Sequence, residues 1–243
     1  RYLSIIAVAL TLTGASLAQR VEYAPTNYFN VNIGAGLGTI LCNPMGGHQS
    51  MEAGALGQFQ YIHYFSPQWG AGIGAQFSVN RSHTTYNFTD ATPLLVHPDN
   101  DWYYESRAIY TDWVEHQKLF ALGIPVQLYF RTLVGREWLL NFGVGALVDF
   151  NIGSSFETQG GDYETRGYFY NTATEYAELN EYGFYHHQDK ESGKMNPSKI
   201  NVSALVDFGI YRNLTYSCEL YLGVYATYGL SNIFQSNSQQ LMT

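Results

Sequence analysis

Residues 69–80, WGAGIGAQFSVN, put Trp69, Ala71, Ile73, Ala75, Phe77 and Val79 on one parity and Gly70, Gly72, Gly74, Gln76, Ser78 and Asn80 on the other. Successive side chains of an extended chain point to opposite faces, so this stretch predicts a strand with one unbroken apolar face. The other face carries only small and polar groups.

The same period of two recurs along the chain. From Tyr28 to Cys42, Phe29, Val31, Ile33, Ala35, Leu37 and Leu41 oppose Asn30, Asn32, Gly34, Gly36 and Gly38. Met51 to Phe65 is the weakest match, with Glu52, Gln58 and Gln60 against Ala53, Ala55, Phe59 and Tyr61. Phe120 to Phe130 alternates around Gly123, Gln127 and Arg131, with Pro125 demanding a break in the ladder. Trp138 to Ile152, Ile200 to Tyr211 and Cys218 to Tyr228 complete seven predicted strands, with Asp149, Asp207 and Glu219 on their polar parities.

Connections alternate in length. Ser66–Gln68, Thr132–Glu137 and Arg212–Thr215 are short, whereas Asn80–Lys118 and Ser154–Ser198 are long, the arrangement of turns on one side of a membrane and loops on the other. Phe65, Trp69, Phe130, Trp138 and Tyr216 flank the short turns on the apolar parity and predict an interfacial girdle. A soluble sandwich or calyx also alternates, but it would enclose the apolar parity, and here the glycines and amides suit an enclosed space better.

Composition points the same way. Charged residues make up 13% of the 243-residue chain, well below the roughly 25% of soluble domains, so something other than water is expected to face much of the surface. A net charge of −8 with 12 Lys and Arg excludes a nucleic-acid partner, which would need clustered cations. Residues 1–18 read as a secretory signal peptide, with Arg1, an apolar run from Leu3 to Leu12 and small residues around Ala18, which leaves 19–243 as one domain. That run is shorter than the roughly 20 residues of a spanning helix.

The signal ending in Ala18-Gln19, the glycine-rich alternation and the segment Tyr225-Ala226-Thr227-Tyr228-Gly229-Leu230-Ser231-Asn232 resemble the outer-membrane β-barrel family with OmpA-like transmembrane domains. The resemblance spans most of residues 19–235 and rests on pattern rather than on an invariant motif. It implies an all-β, antiparallel transmembrane barrel of eight strands, a small porin-like architecture, located in the cell outer membrane. It also implies a last strand ending in an aromatic residue and, in some members, an appended domain that binds the cell wall.

Seven strands leave an odd edge, and an open edge in hydrocarbon strands backbone N–H and C=O groups. The expectation is therefore a chain lacking its eighth strand, with a gap beside the seventh. Ten strands would result if Tyr163–His187 formed its own membrane hairpin. Cys42 and Cys218 fall at opposite ends of their strands, beyond the roughly 7 Å that a disulfide spans, so no bridge is expected.

For chemistry, the polar residues Glu52, Gln58, Gln60, Gln76, Gln127, Arg131, Asp149, Asp207 and Glu219 are expected inside the barrel. An eight-stranded interior is just filled by side chains, which favours a plug over a weakly cation-preferring pore. Ser78 and His83 are the nearest approach to a nucleophile and base for a lipid-modifying enzyme, without a motif, so no catalytic activity is expected. No cofactor or metal set is legible: adjacent His186 and His187 point to opposite sides of an extended segment. The expected partners are outer-membrane lipid, a surface ligand for the aromatic, acidic stretch within residues 154–198, and the cell wall through a further C-terminal part.

Overall fold

A computed structural model describes residues 3–13, 26–40, 47–96, 101–134, 138–187, 191–215 and 218–231. The protein is all-β: among the described residues there is one antiparallel sheet of 13 strands, interrupted by a single 3-10 turn at Asn180–Tyr182. The long strands are β1 (Leu3–Thr13), β2 (Thr26–Gly38), β3 (Gly47–Tyr64) and β4 (Trp69–Ala91). After the short β5 (Leu95–Val96) come β6 (Tyr103–Val134), β7 (Trp138–Thr158) and β8 (Asp162–Phe169). Three short strands follow, β9 (Thr174–Tyr176), β10 (His186–His187) and β11 (Ser192–Gly193), and then β12 (Ile200–Thr215) and β13 (Cys218–Gly229).

Eight of these strands pair in series. β2 pairs β3, β3 pairs β4, β4 pairs β6 and β6 pairs β7, all antiparallel. β7 then pairs β12, β12 pairs β13, β13 pairs β1, and β1 pairs β2. The β1–β2 ladder, Ala7↔Gly36 to Leu10↔Ile33, is the shortest of the eight.

Two expectations are corrected here. Seven strands and a gap beside the seventh were predicted, but the place between β13 and β2 is occupied by Leu3–Thr13, the segment read as a signal. Its sequence, LSIIAVALTLT, has the mostly apolar character of a signal core, and 11 residues also meet the length of a membrane strand. Lacking alternation, it gives no period-two signal to recognise.

The second correction concerns the long connections. Much of 80–118 and 154–198 is sheet: β4 runs to Ala91 and β6 starts at Tyr103, with β4–β6 pairing continuing to Ala91↔Arg107. Beyond Val79 both parities are mostly polar or aromatic, so the hydropathy period fades while Thr, Tyr and Phe keep the backbone extended. β8 pairs the outer part of β6, from Tyr104↔Phe169 to Thr111↔Asp162, and adds no member to the eight-strand series.

Around Pro125 the ladder to β4 skips from Ile73↔Val126 to Gln76↔Gly123, as a residue without an N–H requires. Cys42 and Tyr216 lie outside the described residues, and so does any statement about a Cys42–Cys218 pair.

The two faces of the sheet differ in an inverted sense. Ile33, Ile73, Leu122, Val144 and Leu222 are exposed, between 44% and 70%, while Asn30, Gln58, Gln60, Gln76, Gln127 and Asn141 are buried below 9%. Soluble proteins bury the first set and expose the second.

Candidate functional site

The buried face is filled by side chains that meet across strands with no shared ladder. Asn30 on β2 donates to the Tyr211 hydroxyl on β12 at 3.1 Å, and Tyr64 on β3 donates to Asn141 Oδ1 on β7 at 3.2 Å. Tyr225 on β13 donates to Gln76 Oε1 on β4 at 2.8 Å. In the middle, Gln60 Nε2 donates to Gln127 Oε1, and the Tyr129 hydroxyl sits 2.8 Å from Gln60 Oε1 and 2.7 Å from Gln127 Oε1.

Glycine makes room for these rings. An added Cβ at Gly72 would come 2.9 Å from Tyr129 Cε2, and one at Gly143 would come 2.7 Å from Tyr129 Cε1, so Tyr129 lies flat between two strands only because both positions lack a side chain. Apolar residues on the same face close the remaining space: Ile62 with Tyr64 and Tyr129, and Leu147 with Leu205, Tyr225 and Leu56.

At the short-turn end Arg131 donates to the Tyr28 hydroxyl at 2.9 Å and to the Pro67 carbonyl at 3.0 Å, and its guanidinium stacks 3.6 Å from the Tyr64 ring centre. Glu219 lines the same recess, and Asp207 accepts from Tyr221 at 2.6 Å. Towards the other end a cavity of about 80 Å³ is bordered by Asp149, Asn151, Asn201, Gln76, Ser78 and Tyr225. Among the described residues, Asp149 Oδ1, Asn151 Oδ1 and Asn201 Oδ1 have no protein hydrogen-bond partner, and the space beside them suits a few waters.

Eight of the nine polar residues expected on the enclosed parity are thus on the buried face: Gln58, Gln60, Gln76, Gln127, Arg131, Asp149, Asp207 and Glu219. Glu52 is not. The register shifts between Met51 and Ala55, and its carboxylate turns to His83 and His116 on the other face. Tyr129, Tyr221 and Tyr225 fall on the polar parity of their strands, but neither they nor Tyr64 and Tyr211 belong to the interior polar set read from the sequence, and these five do most of the filling. Their parity was the available signal, but an aromatic ring reads as apolar until a hydroxyl partner is known.

On the opposite face Trp69 stacks against Phe130 with ring centres 5.0 Å apart, Phe65 and Trp138 are exposed, and the Arg212 guanidinium lies 5.3 Å from the Trp138 ring. From this aromatic row to Val79 and Phe120, the exposed parities of β4 and β6 hold no charged residue. The pair Arg81↔Lys118 comes next, followed by His83↔His116.

Ser78 is buried on one face of β4 while His83 belongs to the other, so the two cannot act together. The stretch 163–187 is folded rather than looped. Tyr163 stacks on Tyr110 at 4.7 Å, Phe184 is buried against Gly167, and Tyr170, Tyr176, Tyr182 and Tyr185 remain exposed. Charges stitch this outer layer. Arg107 contacts Glu105, Arg166 contacts Glu164 at 2.8 Å, and Glu175 lies 4.0 Å from Arg107 and 3.9 Å from Arg166. Hydrogen bonds from Tyr170 and then Arg107 hold the Glu105 carboxyl below its ordinary value, and Arg166 does the same for Glu164. His186 pairs with Asp162 at 3.3 Å.

No family model, no curated protein and no solved structure matches this chain.

Proposed function

We propose that the chain is a membrane-spanning antiparallel β-barrel of a bacterial outer membrane, with an envelope-structural or surface-interaction role and an interior plugged by its own side chains. The pairing series that returns to its first strand supports closure, since it leaves no edge among the eight long strands. The exposed apolar face supports the membrane. Ten residues separate Trp69 from Val79, and at about 3.3 Å per residue with a tilt near 40° they span roughly 25 Å, the height of an outer-membrane apolar band.

The observation that carries the plugged reading is the set of hydrogen bonds between strands that do not pair, above all Tyr225 to Gln76. A water-filled channel would hold these groups apart. Asp207 is taken up by Tyr221, and Asp149 borders a cavity of about 80 Å³, so the carboxylates line no continuous path for a cation-preferring pore. With Ser78 and His83 on opposite faces, the lipid-modifying alternative loses its candidate pair.

The resembled family supplies the outer-membrane location as part of the same proposal, and the exposed tyrosines of the outer layer are the surface left for a ligand. Fractionation and planar-bilayer recording test it together. Recovery with the outer membrane, heat-modifiable migration and no sustained conductance are the expected results. A freely soluble protein would end the membrane reading, and large sustained openings would end the plugged one.

A further inference from the structure

Glu52, His83 and His116 come from β3, β4 and β6 and place one ligand atom each within 4.8 Å of one another. Glu52 Oε1 is 3.1 Å from His83 Nδ1 and 2.7 Å from His116 Nδ1. His83 and His116 are direct register partners, with ring centres 5.6 Å apart. The register shift between Met51 and Ala55 turns Glu52 to their side, so a local irregularity in β3 completes the set. All three side chains are half-buried and open on one side, with exposures of 21% for Glu52, 31% for His83 and 37% for His116.

We propose that this is a binding site for a divalent transition-metal ion of the Zn²⁺ class. Three donors around such an ion at about 2.0–2.1 Å would sit roughly 3.3 Å apart in tetrahedral geometry, and the Glu52 oxygen stands at 3.1 Å and 2.7 Å from the two imidazole nitrogens, with all three ligand atoms within 4.8 Å of one another. Two imidazoles with one carboxylate suit Zn²⁺, Ni²⁺ or Cu²⁺ over Ca²⁺ or Mg²⁺, which take all-oxygen sets. Arg81 and Lys118, one row nearer the apolar band, repel any cation, so an ion here would be held by its bonds to the imidazoles and the carboxylate rather than by the surrounding charge. Three protein ligands leave a coordination position for water or an external ligand. The site needs only the local pairing of β3, β4 and β6, so it stands independently of whether the interior conducts.

The test is calorimetric titration of the full chain, folded in detergent and stripped with chelator, using Zn²⁺ alone. Saturable uptake of one ion per chain is expected. His83→Ala and His116→Ala should each weaken it at least about tenfold, the scale on which even supporting residues of metal sites act. Glu52→Gln should weaken it as well, and His186→Ala should leave it unchanged. Absence of saturable uptake by the unaltered chain, or uptake that survives loss of either imidazole, would overturn the proposal. A readout that needs no variant is carbethoxylation of the unaltered protein: Zn²⁺ should protect His83 and His116 and leave His186 reactive, and equal reactivity with and without Zn²⁺ would count against the site.

Discussion

The hydroxyl of Tyr225 on β13 donates to Oε1 of Gln76 on β4 at 2.8 Å, although among the described residues β13 pairs with β12 and β1, and β4 with β3 and β6. Both residues are buried, so the bond ties two remote stretches of the sheet through its filled face. Tyr225→Phe keeps the ring and removes the donor, leaving the Gln76 carbonyl buried without that partner. The expected loss is about 1–3 kcal/mol in urea unfolding followed by heat-modifiable migration. Conductance should stay absent, because the ring still fills the space.

Glycine positions sort by what a methyl group would meet. Gly143→Ala drives a Cβ to 2.7 Å from Tyr129, a ring held between Gly72 and Gly143 and bonded to the Gln60–Gln127 pair, and overpacking of this kind costs about 1–3 kcal/mol. Gly57, on the exposed parity of β3, has nothing within 4 Å of the same added atom. Gly57→Ala should be neutral or slightly stabilising, by up to about 1 kcal/mol, since it only restricts the unfolded chain. Equal losses at the two sites would dissociate the glycines from the packing of Tyr129.

How much of this was legible in the sequence depended on alternation. Ile73, Leu122, Val144 and Leu222 declare their face because each belongs to a run in which every second residue is apolar, and all four are exposed. The outer halves of β4 and β6 stayed hidden because neither of their faces is apolar, and β1 stayed hidden because Ile5 to Leu10 is apolar on both parities. The Glu52 cluster was invisible for another reason: its members lie 31 and 64 residues apart and meet only through a register shift that no local pattern announces.

A cation on the exposed apolar face discriminates a lipid-facing surface from a water-facing one. Ile73→Lys, near the middle of the apolar band, should cost about 2–4 kcal/mol in a bilayer-folded protein. Thr89→Lys, exposed on the same strand beyond that band, should change stability by no more than about 0.5 kcal/mol. If Ile73→Lys is as harmless as Thr89→Lys, hydrocarbon does not contact that face.

The outer layer should loosen in acid. Glu105 and Glu164 are held below their ordinary values by Tyr170 and Arg107 and by Arg166, so both stay ionised in the folded layer at a pH where the unfolded chain binds protons. Their contribution is present above the unfolded value of about 4.3 and disappears as pH falls through the lower folded values. Amide exchange in 104–111 and 163–169 should therefore accelerate below about pH 4 relative to the β4–β6 ladder around Ile73 and Val126, and Glu105→Gln should remove part of that dependence.

The seam at β1 offers the most direct test of the eight-strand series. Val8 bridges Val224 on one side and Ala35 on the other, so a proline there deletes an N–H from a strand paired on both edges. In the full chain refolded in detergent, where no export machinery acts on residues 1–18, Val8→Pro should lower stability by about 1–3 kcal/mol. The β1–β2 ladder is short, and the damage should accordingly appear first as faster exchange at Ile33 to Gly36, with the β3–β4 ladder still protected. Unchanged stability and exchange would place Leu3–Thr13 outside the sheet and leave β2 and β13 each with one unpaired edge.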